Sequence, residues 1–105
     1  MNSDRLKQLK AHLQEDPDDP FNYYALALEY RAEEPELARQ HFEHILAHHP
    51  DYLPVYYHVA TLYNALNLKE KAVAALHGGI ALAAQTGQQK TRNELRSLLD
   101  EIMFD

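Results

Sequence analysis

Cysteine is absent from the 105-residue chain. Its absence excludes disulfides, thiolate nucleophiles and sulfur-ligated metal sites, and leaves the redox compartment open. Glycine, with three residues, and proline, with five, are scarce. Long turn-rich segments are therefore few, and abundant Ala and Leu favour helix at little conformational cost. No uncharged apolar run approaches the roughly 18 residues of a membrane span. The stretch MNSDRLKQLKAHL carries charge in every turn and has no apolar leader-like core, so a cytoplasmic protein is expected. Clustered cations are also missing. The formal net charge is -6, and the basic residues Arg5, Lys7, Lys10 and Lys90, Arg92, Arg96 gather near the two ends, as on solvated helix faces. A phosphate backbone needs a cationic groove, so nucleic acid is excluded as a partner.

What the chain does have is 46% apolar residues, enough for one packed core in a single domain spanning 1–105. It also has an internal repeat. FNYYALALEYRAEEPELARQHFEHILAHHP (21–50) aligns with PVYYHVATLYNALNLKEKAVAALHGGIALAA (54–84). Tyr23, Leu26, Ala27 and Tyr30 fall on Tyr56, Val59, Ala60 and Tyr63, 33 residues later. Ala38, Phe42 and Leu46 fall on Ala72, Leu76 and Ile80, 34 residues later. The offset of one lies in the turn before Pro35, where an indel costs little. Each copy holds two helical patterns. The first places an aromatic, an aliphatic, a small residue and an aromatic at i, i+3, i+4 and i+7, which is one buried arc of a helix. The small residues, Ala27 with Ala38 and Ala60 with Ala72, let paired helices approach closely.

This pattern resembles the tetratricopeptide repeat. The aromatic, Leu-small, Tyr, Ala, aromatic and closing Pro of that family read here as Tyr23, Leu26-Ala27, Tyr30, Ala38, Phe42 and Pro50. The second copy reads Tyr56, Val59-Ala60, Tyr63, Ala72 and Leu76, with Ala84 in place of the proline. The expected fold is all-α: an α-solenoid of antiparallel helix pairs with about six helices, near 3–15, 20–33, 35–48, 52–66, 69–84 and 89–103. The expected parts are a leading half repeat (3–17), two repeats (20–50 and 53–84) and a C-terminal capping helix (88–105). Leu6, Leu9 and Leu13 face inward in the first helix. Leu95, Leu98, Leu99, Ile102 and Met103 form the covering stripe of the last. Gly87 can cap by turning left-handed, and Thr91 with Glu94 is a candidate capping box.

The resemblance implies that the first helix of each pair lines a groove for a peptide or protein segment, making the chain an interaction scaffold or adaptor. Its candidate lining is Tyr24, Leu28 and Arg31 in the first copy and Tyr57, His58, Thr61 and Asn64 in the second. The alternative is that these tyrosines pack against neighbouring helices. Some family members clamp a C-terminal carboxylate with Lys and Asn on this face. Here Tyr24, Leu28 and His58 stand in those places, so that clamp is not expected.

Three histidines, His41, His44 and His48, fall within about 60° on one helix. His44 and His48 have the i, i+4 spacing of metal chelators. The residues between them, Ile45, Leu46 and Ala47, supply no general base of the metalloprotease type. The expectation is a set of half-exposed surface histidines on the outer side, where a second protomer could touch them; the competing readings of the chain are a metal-binding helical protein and a self-associating, homodimeric domain. Gly79 sits where the family favours a small residue at a helix crossing. Gly78, with Ala74, Ala75 and Ala81, makes a small-residue surface, read either as a homodimer contact or as a locally weak helix. Asp16, Asp18, Asp19 and Glu33, Glu34, Glu36 bracket turns and have structural explanations. No constellation meets the geometric demands of catalysis, so neither an enzyme nor a cofactor is expected.

Overall fold

The computed structural model describes residues 2–104. Met1 and Asp105, the ends of the expected domain, lie outside the described residues. Among the described residues there are six helices and no strand: α1 (Ser3–Glu15), α2 (Pro20–Tyr30), α3 (Pro35–His48), α4 (Pro54–Ala65), α5 (Lys69–Gln85) and α6 (Gln89–Phe104). They gather into two units, one running to Tyr52 and the other starting at Leu53.

In the first unit α2 packs against both α1 and α3. Asn2 caps α1 through its side-chain oxygen, which accepts the Arg5 N–H at 3.0 Å. The Arg5 guanidinium meets Glu29 of α2 at 3.2 Å. Asp19 caps α2 by accepting the Phe21 N–H, and Pro20 occupies the first turn, where a missing N–H costs nothing. Residues 31–33 had been expected to continue α2, but they form a turn. Glu34 precedes Pro35, whose ring excludes the α conformation from it, and Glu34 sits at φ -131°, ψ 65°. The chain therefore leaves the helix early, and the Glu34 N–H closes back on the Tyr30 carbonyl at 2.7 Å.

Leu9, Leu26, Ala27, Tyr30, Ala38, Phe42 and Ile45 form the buried core of this unit. Each fully buried Leu, Ile or Phe contributes about 1.5–3 kcal/mol relative to exposure. Leu6 and Leu13 are half-buried. The buried polar side chain is Asn22, whose amide donates to the carbonyls of His12 (3.2 Å) and Asp16 (2.9 Å). Those carbonyls lie at the end of α1, where each also accepts a backbone N–H, His12 from Asp16 at 3.0 Å and Asp16 from Asp19 at 3.4 Å. The Tyr23 hydroxyl donates to the Pro17 carbonyl at 2.9 Å, so two neighbouring side chains of α2 fasten the turn that precedes it.

The second unit packs α4 on α5 and α5 on α6, with a smaller α4–α6 contact. Two of its helices end alike. Asn67 (φ 63°) and Gly87 (φ 69°) both turn left-handed. The N–H after each reaches back five residues, Leu68 to Tyr63 at 2.8 Å and Gln88 to Ala83 at 2.9 Å. This is the Schellman closure, which satisfies carbonyls that the helix end would strand. Helix α6 begins at Gln89, so Thr91 lies inside its first turn and the expected capping box with Glu94 does not form. Leu95 and Ile102 are buried, and Leu98 and Leu99 half-buried, but Met103 is 54% exposed. At 100° per residue Met103 stands about 80° around the helix from Leu95, off the covered stripe.

Helix α5 comes very close to its neighbours at Gly79. A Cβ there would lie 2.7 Å from Tyr56 Cβ, 2.9 Å from Tyr56 Cγ and 3.0 Å from Leu95 Cδ1, so α4, α5 and α6 meet at a position with no room for a methyl group. Its neighbour Gly78 is exposed, and a Cβ there would meet Tyr56 Cε1 at an ordinary 3.4 Å. The two glycines should therefore respond oppositely to alanine. Gly79→Ala is expected to destabilise by about 1–3 kcal/mol through overpacking. Gly78→Ala is expected to stabilise by up to about 1 kcal/mol through helix propensity. Urea denaturation of the two variants checks this, and shifts of the same sign would contradict it.

Candidate functional site

In the first unit, α2 places Tyr24 and Leu28 on one face, both half-buried, and Arg31 just beyond its end, exposed. Tyr24 lies edge-on to Tyr52 with ring centres 5.6 Å apart, and Phe21 stands 6.3 Å from Tyr24. Burial pushes the Tyr24 hydroxyl above its ordinary pKa, partly opposed by Arg31. The Tyr52 hydroxyl is raised by burial, by Tyr24 and by Asp19. Both phenols stay neutral at physiological pH. Tyr24 thus combines packing and partial exposure, and Phe21, 54% exposed, extends the aromatic surface toward Asp19.

In the second unit, Tyr57 is 41% exposed on α4. Its ring lies 5.7 Å from that of the half-buried His58, in an edge-on arrangement. Thr61 is exposed, and its hydroxyl donates back to the Tyr57 carbonyl at 2.9 Å. Asn64 is exposed in the last turn of the helix. Tyr57 opens into a cleft of about 700 Å³ whose other wall is α6, through Lys90, Asn93, Ser97 and Leu98. These wall residues of α6 were not anticipated. The signal was present, since Lys90, Asn93, Glu94, Ser97 and Glu101 recur at helical spacing on one face. A polar stripe on a terminal helix reads as solvated surface until α4 is found beside it.

Of the α3 histidines, His41 and His44 are half-buried and His48 is exposed. The Tyr23 ring stacks on His44 at 3.9 Å, and His44 neighbours His48 at 4.4 Å. Tyr30 stands 5.6 Å from His41, whose Nδ1 donates to the Leu37 carbonyl at 2.8 Å. The aromatic face of α2 is wide enough to cover the edge of α3 that carries these rings. With Pro17, Asp18 and His49, the residues Tyr23, His44 and His48 line a concavity of about 440 Å³. Among the described residues, no three His, Asp or Glu groups are placed to hold a metal ion.

Burial first, then the like charges of His48, His49 and His41, depress the His44 pKa below its ordinary 6.5. A histidine that holds its proton less tightly when folded contributes fully above the unfolded value and loses that contribution as pH falls below it. Thermal melts from pH 7.5 to 5.5 should therefore show Tm falling by a few degrees through the range below about 6.5. His44→Gln should flatten this slope, and a slope unchanged by the substitution would contradict the assignment.

No protein-family model matches the chain, and neither does any curated protein. Among solved structures, it is similar to a tetratricopeptide repeat domain protein from Salinibacter ruber. The solution structure of that domain shares 35% identity over 83% of this chain and 89% of that one, with a TM-score of 0.77. The crystal structure from the same organism gives 34% identity, 81% and 97% coverage, and a TM-score of 0.76. A protein from Bordetella parapertussis shares the fold at 22% identity, covering 98% of this chain and 90% of its own, with a TM-score of 0.80. The paired helices, their buried alanines, the close approach at Gly79 and this likeness agree: the chain belongs to the tetratricopeptide repeat family.

Proposed function

We propose that the chain is a protein-interaction scaffold that holds a peptide or protein segment on the exposed faces of α2 and α4. Tetratricopeptide repeat domains act generally as interaction modules for protein partners and typically not as enzymes. In this reading residues 3–17 are a leading half repeat, 20–50 and 53–84 are the repeats, and 88–105 is the cap. Tyr24, Leu28 and Arg31 would contact the partner in the first unit, and Tyr57, His58, Thr61 and Asn64 in the second. The observation that carries the reading is Tyr57, a large aromatic 41% exposed at the mouth of an open cleft. The core of the unit is filled by other residues, so this ring has no evident structural duty. Tyrosine gives a partner large contact area at small entropic cost and a polar tip. Among the described residues no helix is long and apolar enough to cross a membrane.

Affinity capture from a host lysate with wild-type chain and Tyr57→Ala tests this. The variant is expected to melt as wild type does, because the ring is half in solvent. A partner retained by wild type and lost with Tyr57→Ala is the expected result. Equal retention by both, or a variant whose main change is a lower Tm, would contradict the assignment.

A further inference from the structure

The charge of this chain is divided unevenly. Residues 1–52 hold five Lys or Arg and eleven Asp or Glu, whereas residues 53–105 hold five of each. The whole net charge of -6 therefore belongs to the first unit. Within that unit the largest exposed aromatic is Phe21, at the start of α2. It sits beside Tyr24, which sits edge-on to Tyr52, so three rings form one continuous patch. Asp19 is part of the same patch. One of its carboxylate oxygens accepts the Phe21 N–H at 3.0 Å, and its charge acts on the Tyr52 hydroxyl. Exposed Asp16, Asp18 and Asp51 flank Asp19 and Tyr52 along the chain. The cation that acts on Tyr24 is Arg31, beyond the opposite end of α2 and followed by Glu33 and Glu34.

We propose that this aromatic patch with Asp19 is a docking surface for a basic segment of a partner, one in which Lys or Arg stands beside an apolar side chain. The inference rests on the interaction reading above and names the partner chemistry for the first unit. The chemistry is complementary on three counts. Ring faces attract cations, Arg most of all. The aliphatic stem of Lys or Arg covers apolar rings while its head stays near water and carboxylate. The surplus of six negative charges steers a basic segment toward this unit and repels an acidic one.

The test is titration of the full chain with a short synthetic peptide of Arg and Leu, and with its Glu and Leu counterpart, followed by amide chemical shifts and affinity. The Arg peptide is expected to shift the amides of Asp19, Phe21, Tyr24 and Tyr52 and to bind more weakly as salt rises. Asp19→Asn keeps the helix cap, because Asn serves that position as well as Asp, while removing the charge. It is expected to weaken binding roughly tenfold, as is Phe21→Ser. Unchanged helical signal and melting confirm that both variants fold. Equal binding of the Glu peptide, affinity untouched by Asp19→Asn, or shifts confined to residues beyond 53 would overturn the proposal. The last of these would leave the Tyr57 cleft as a binding surface, so this inference can fail while the scaffold reading stands.

Discussion

Close helix packing depends on small side chains, most plainly where α5 meets α4 and α6 at Gly79 with no room for a methyl group. Ala27 and Ala38 are fully buried in the first unit, and Ala60 and Ala72 in the second, where Gly79 admits Tyr56 at a distance that excludes a methyl group. Interiors packed this densely are felt one methylene at a time, so these small positions set helix separation for everything around them. The larger residues then fill what the spacing leaves: Leu26, Phe42 and Ile45 in one unit, Val59, Leu76, Leu95 and Ile102 in the other. Exposure of Phe21 and Tyr57 follows from the same geometry. The inward arc of each first helix is already occupied, and an aromatic placed off that arc is left facing solvent.

Much of this was legible in the residues before any coordinates. The i, i+3, i+4, i+7 arc repeated at 33 and 34 residues located the helix pairs, and Gly79 stood out as a glycine inside a helix that needed a packing reason. Gly87 announced its left-handed turn because glycine alone adopts it without penalty. Asn67 makes the same turn and went unnoticed, since an asparagine in a polar loop has many roles and only its φ distinguishes this one. Asn22 was equally silent. Its role comes from bonding carbonyls at the end of another helix, and that is a tertiary fact. The end of α2 was misplaced because helical propensity continues through Arg31 and Ala32, while the constraint acts backwards from Pro35.

The candidate site was legible only in part. The faces of α2 and α4 could be drawn from periodicity once a groove was supposed. The second wall of the Tyr57 cleft required knowing that α6 lies beside α4. The histidines were legible as half-exposed rings on α3, but their contacts were not: the stacking of Tyr23 on His44 depends on what lies across the α2–α3 seam.

The account stands on stability being centred at the small-residue crossings. Native-state hydrogen exchange reads this directly, because amides released only by global opening mark the most stable packing. The slowest amides are expected around Ala27, Ala38 and Phe42 in α2 and α3, and around Ala60, Ala72 and Leu76 in α4 and α5. Slowest exchange in α1 or in the last turns of α6, with the crossings opening early, would contradict it.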